Sequence, residues 1–294
     1  MTRRAGTLFL AFMIALPVAM VLAAVTSPWL QMLLAPLAVF PLHRIFTRLT
    51  MLFAFGWILL VMLRFGLARR DVLGYGIAPR ALMPRLLLGL AAGLALMAIA
   101  VAPLFALGLR DWNLARLASA GGPVVVAAKG LGSGLLVALI EETFFRGAMQ
   151  GALERQGASR LALFAVPALY AAVHFLGGAD RVPYESVTAL SGFTTLAGFF
   201  TGFAEPLRIV DAFIALYCVG LLLALVRRGT GNIAGCIGLH AGFVAVIAVF
   251  RKISVATASP QWSLLVSDYD GLLGLWIAAL TAATCVLAAL RIRR

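Results

Sequence analysis

Charge is scarce in this sequence. Asp, Glu, Lys and Arg make up 12% of the 294 residues, while 63% are hydrophobic and the mean hydropathy is +1.04. Soluble domains carry about 25% charged residues. A water-facing globule of this size cannot hide so much apolar surface, which excludes a soluble fold. Short segments of alternating polarity are missing too, which excludes a membrane β-barrel. Cysteine is sparse. Cys218, Cys236 and Cys285 form no CxxC and no metal-ligand spacing, so they define no disulfide framework and read as small apolar core residues. Lysine is nearly absent, Lys129 and Lys252 standing against a long run of arginines, a bias that points to a GC-rich bacterial genome. The net charge of +13 does not imply nucleic acid. Its arginines fall between apolar segments and not on one polar face, where they meet anionic headgroups.

Apolar stretches near the ~20 residues that cross a bilayer core recur along the chain. The pattern predicts an all-α integral membrane protein: a bundle of about eight transmembrane helices in one domain over residues 1–294, with one or two re-entrant segments. The expected helices lie near 7–26, 49–66, 86–108, 123–153, 161–177, 212–226, 232–250 and 271–290. The first is expected as an uncleaved span and not a signal peptide. Basic loops on the cytoplasmic side group Arg3 and Arg4 with Arg69, Arg70, Arg80 and Arg85, with Arg155 and Arg160, with Arg227 and Arg228, and with Arg291, Arg293 and Arg294. Both termini are then cytoplasmic. Residues 28–42, with Pro28, Pro36 and Pro41, and residues 189–204, with Gly192, Gly198 and Gly202, are expected as half-buried or re-entrant segments.

Three elements carry chemistry. The first is Ile140-Glu141-Glu142-Thr143-Phe144-Phe145-Arg146-Gly147. Ionised carboxylates at the bilayer centre cost a few kcal/mol each. Glu142 and Arg146, at i,i+4, explain one of them as a structural ion pair. Glu141 points about 100° away and faces something else. The second is His174, in Tyr170-Ala171-Ala172-Val173-His174. Measured from the turn at Gly157-Ala158-Ser159, Glu141 and His174 reach the same depth of an antiparallel hairpin, where a carboxylate and an imidazole can bind and deprotonate a water. The third is Gly238-Leu239-His240-Ala241-Gly242, inside the seventh helix, at similar depth. His43, beside Arg44, reads as a solvated interfacial residue. There is no HExxH of zinc proteases and no Gly-x-Ser-Gly of rhomboid-type proteases. Gly130-Leu131-Gly132-Ser133-Gly134 follows no strand and reads as a close helix–helix contact.

This ordered set resembles the CPBP intramembrane proteases, which include type II CAAX prenyl endopeptidases and bacteriocin self-immunity relatives. Their pattern is EExxxR, then an aromatic residue four before a histidine, then a later helix with a histidine and usually Asn or Asp four residues on. Glu141, Glu142 and Arg146 match the first element. Tyr170, where Phe is usual, and His174 match the second. His240 matches the third, but Val244 stands where Asn or Asp is expected. Leu73-Gly74-Tyr75-Gly76 also resembles the family, and the likeness covers residues 125–250. It implies Glu141 as general base on a water, His174 assisting, His240 as oxyanion donor, and Glu142, Arg146 and Tyr170 as supporting residues. The implied mechanism requires no cofactor, although Glu141, His174 and His240 are also a zinc-ligand set and leave a metal open. The expected partners are lipids and a membrane-associated peptide or protein substrate. The expected location is the bacterial inner membrane. Oligomeric state is unspecified. Two other readings stand beside the protease: a catalytically silent membrane partner of the immunity type, for which Val244 argues, and a proton-coupled transporter, which buried Glu and His also suit.

Overall fold

The computed structural model describes residues 2–35, 40–177, 182–257 and 263–292. The chain is an all-α bundle: α1 (Arg3–Leu34, jogged at Ile14), α2 (Leu42–Arg64), α3 (Pro79–Ala106), α4 (Gly122–Arg155), α5 (Ser159–Val173), α6 (Ser191–Gly198), α7 (Val210–Thr230), α8 (Ala234–Ile253) and α9 (Leu275–Ile292). Arg110–Trp112 and Ser254–Ala256 pair as a small antiparallel ribbon. Among the described residues seven helices, all but α5 and α6 of those named, are long and apolar enough to cross a membrane. The apolar α5 has 15 residues. At about 1.5 Å rise per residue it is shorter than a ~30 Å hydrocarbon core.

Two boundaries differ from the sequence reading. Residues 28–34 are no break: α1 runs through Pro28 to Leu34, and Pro41 caps α2. A proline removes one backbone donor, but a bundle tolerates it when neighbours enclose the turn, and Ser27, Pro28 and Gln31 are buried. Pro36 lies outside the described residues, as do Arg293 and Arg294. The second difference is in α5, which stops at Val173, so His174 caps the helix instead of sitting inside it. Residues 189–204 contain the 8-residue α6 and a single 3-10 turn. There a Cβ on Gly192 would collide with the Ala24 carbonyl of α1.

Glycine sets the position of α8. Gly89 and Gly93 of α3 abut the backbone of α8 at Gly235 and Leu239, while Gly238 abuts the Leu86 carbonyl. On the other side a Cβ on Gly134 of α4 would meet the Ala241 carbonyl at 2.7 Å. In lipid no solvent-driven force pulls helices together, so close backbone packing of small residues holds them. Gly238→Val, forced against backbone that cannot rotate away, is expected to cost about 3 kcal/mol and to lower the unfolding temperature in detergent. Gly132→Val, which meets nothing within 4 Å, is expected to leave it unchanged.

The helix ends sort by charge. At one end the Arg4 guanidinium donates to the Phe65 carbonyl at 3.3 Å, Arg155 pairs with Asp71 at 3.7 Å, Arg85 donates to the Thr230 carbonyl at 3.4 Å, and Ile292 packs against Gly229. The loops expected on one side of the membrane thus lie at one end of the bundle. The other end holds mixed charges, including the Arg251–Asp270 pair at 2.9 Å.

Candidate active site

Helix α4 changes its winding where the polar residues gather. Gly122–Glu142 is α-helical, Thr143–Gln150 is π-helical, and Gly151–Arg155 is α-helical again. A π turn widens the helix locally, and such turns occur often at functional sites. From Glu142 onward every fourth residue is polar: Glu142, Arg146, Gln150 and Glu154. This stripe faces α7. Arg146 donates to the Gly220 carbonyl at 3.0 Å, Gln150 donates to the Ala224 carbonyl at 3.0 Å, and Arg228 donates to Glu154 at 3.1 Å. Each pair is separated by 74 residues, so the two helices run parallel and in register.

Glu142 and Arg146 are wholly enclosed, with an Nη1···Oε1 distance of 3.2 Å. The guanidinium also stacks over the Tyr170 ring of α5, 4.5 Å from its centroid. Burying an isolated charge costs several kcal/mol, so the pair persists because each charge has a partner and Arg146 has two further ones. Gly220 makes the stack possible, since a Cβ there would meet the Tyr170 ring at 3.0 Å.

His240 gives the site its shape. Its Nδ1 lies 2.8 Å from Oε1 of Glu142 and its Nε2 lies 3.9 Å from Oε2 of Glu141. One imidazole therefore joins both adjacent carboxylates. The arginine assigned to Glu142 from sequence is present, but it shares that carboxylate with His240, a partner the i,i+4 argument does not reveal. Oε2 of Glu141 is enclosed and takes no hydrogen bond from the described protein. The side chain as a whole is 29% exposed, while that of Glu142 is 0% exposed. Glu141 is thus the carboxylate within reach of a visitor.

His174 is brought to the same site but makes no direct ion pair with Glu141. Its Nδ1 lies 2.7 Å from the Tyr170 carbonyl, and Glu141 and His240 lie within Coulomb range of it. The Tyr170 ring meets both histidines edge to face, with centroids 4.5 Å from His174 and 6.1 Å from His240. The π turn in α4 and the early end of α5 change the helical rise between the two residues. Val244, one turn beyond His240, is half-buried and brings no polar group. Among the described residues no three His, Cys, Asp or Glu side chains converge as a metal-binding group. Each histidine has its Nδ1 engaged, so a cation would have to be held through the two Nε2 atoms and Glu141.

Sequence reasoning missed Gln150, Glu154 and Arg228, although the every-fourth-residue stripe was visible. It also missed the hydroxyl pair of Tyr75 and Thr143, which ties the Leu73-Gly74-Tyr75-Gly76 loop to α4.

A buried cluster of two carboxylates and two histidines inside an all-α membrane bundle is the site of an integral membrane protein. The comparison with known families agrees: residues 123–246 match the model of the type II CAAX prenyl endopeptidase Rce1-like family. That segment, from the start of α4 to the middle of α8, contains all six residues singled out above and is similar to CAAX-protease-like proteins, intramembrane endopeptidases at the level of the family. No curated protein and no solved structure matches the chain.

Proposed function

We propose that the protein hydrolyses a peptide bond of a membrane-associated protein or peptide with a water activated by Glu141. The observation that carries this reading is the placement of His240, with one ring nitrogen on enclosed Glu142 and the other toward accessible Glu141. A water held at the accessible part of the Glu141 carboxylate gives it a proton and adds through oxygen to the scissile carbonyl carbon. The oxyanion so formed faces Nε2 of His240. With Nδ1–H donated to Glu142, a protonated ring offers an N–H at Nε2 and a neutral ring a lone pair. The first state stabilises the oxyanion. The carbon–nitrogen bond then breaks and the proton on Glu141 passes to the leaving amine. His174 lies within Coulomb range to assist Glu141, and Arg146 and Tyr170 hold Glu142 in place. The arginine-rich end of the bundle is cytoplasmic by the positive-inside rule, and the arginine bias supports a bacterial inner membrane.

This geometry does not need Asn at position 244, because Glu142 already orients His240. Val244→Asn is expected to change turnover less than about threefold, while His240→Ala is expected to lose at least about a hundredfold. Cleavage of a membrane-peptide substrate in proteoliposomes checks both. Normal cleavage by His240→Ala would remove that residue from the mechanism. A rise of more than tenfold in Val244→Asn would show that Glu142 does not replace the missing amide.

A further inference from the structure

Helices α3 and α9 meet at one end and part at the other. Near the mixed-charge end the Trp276 indole of α9 donates to the Ala100 carbonyl of α3 at 2.8 Å. Toward the arginine-rich end a cleft of about 1170 Å³ opens between them, floored by α7 and α8. Its walls are apolar: Leu88, Ala92 and Leu96 on α3, and Leu287 and Ala288 on α9. The hydroxyls of Thr230 and Thr284, which also line it, are taken up by carbonyls of their own helices. Charge enters only at the mouth, where Arg85 and Arg291 stand across from one another as lining residues. Arg85 gives one N–H to the Thr230 carbonyl, and a guanidinium carries five donors.

We propose that this cleft is a binding site for an anionic phospholipid, with one acyl chain between α3 and α9 and the phosphate between Arg85 and Arg291. Charge complementarity selects the occupant. Basic pockets between transmembrane helices at the cytoplasmic side recruit anionic headgroups, and an apolar slot in a bilayer fills with hydrocarbon. The site is separate from the carboxylate–histidine cluster. Its floor includes Gly235 and Leu239, so the lipid lies against a different face of α8 from the one that carries His240 to Glu142, and it braces that helix.

Native mass spectrometry of the detergent-purified chain, titrated with phosphatidylglycerol or phosphatidylcholine of the same acyl chains, tests this. The expected result is selective retention of phosphatidylglycerol. Retention should weaken roughly fivefold for Arg85→Gln and again for Arg291→Gln, and stay unchanged in Arg69→Gln, an exposed arginine at the same end outside the cleft. Ala288→Trp, which fills the slot and leaves both arginines, should abolish retention, and it tests the site even if the arginine variants fold poorly. Inorganic phosphate should not displace the lipid, since the chain anchors it. Equal binding of the two lipids, retention undiminished by Ala288→Trp, or displacement by free phosphate would each overturn the proposal. So would a phosphate-free apolar molecule found in the cleft. None of these outcomes depends on proteolysis.

Discussion

Glu141→Gln is expected to lower peptide cleavage by about a thousandfold, in the range that a general base contributes, while leaving the unfolding temperature within a degree or two of the parent. The two effects separate because of where Glu141 sits. Its side chain is 29% exposed, it bears no hydrogen bond from the described protein on Oε2, and His240 Nε2 lies 3.9 Å from that oxygen. No buried cation depends on it, since Arg146 is held by Glu142 and Gly220. The amide keeps the size of the carboxylate but cannot accept the proton of a water. Single-turnover cleavage and a thermal melt on one preparation measure both quantities. A large loss of stability would mean that Glu141 is structural.

Glu142 is expected to behave in the opposite way at first and then to separate structure from chemistry. Glu142→Leu leaves the Arg146 guanidinium enclosed beside a hydrocarbon side chain, and breaking such a pair from one side costs about 3–5 kcal/mol. The variant is expected to express poorly or to melt far below the parent. Glu142→Leu combined with Arg146→Leu removes both charges and should recover most of the stability, because apolar replacement of a whole buried pair is often neutral. It should not recover cleavage. His240 Nδ1, 2.8 Å from Glu142 Oε1, loses the carboxylate that fixes its ring. A double variant that folds and stays inactive supports an orienting role for Glu142. A double variant that folds and cleaves normally would make Glu142 an ion-pair residue alone, as the sequence spacing first indicated.

Much of this was written in the local sequence. Residues near 20 in apolar runs, the Glu141–Glu142–Arg146 spacing and the isolated histidines at 174 and 240 are signals carried by single segments. Arginine placement grouped the loops that the bundle gathers at one end. Other features depend on partners distant in sequence. The bond between His240 and Glu142 joins residues 98 apart, and no spacing rule links them. The π turn at Thr143–Gln150 shifts Arg146 and the residues after it relative to Glu141 and Glu142, and no spacing rule marks it. Pro28 reads as a helix end in isolation, yet its turn is packed within the bundle and the helix continues. Counting residues along two ideal helices puts His174 at the depth of Glu141, but it does not reveal the Tyr170 ring that touches both histidines.

The central claim is that Glu141 drives hydrolysis of membrane-associated peptides. Quantitative mass spectrometry of new peptide termini tests it most directly, in membranes of cells carrying the parent gene or the Glu141→Gln gene at equal protein levels. The expected result is a small set of termini, within or next to membrane segments, present with the parent and absent with Glu141→Gln. Identical sets of termini in the two membranes, with both proteins present and folded, would contradict the account.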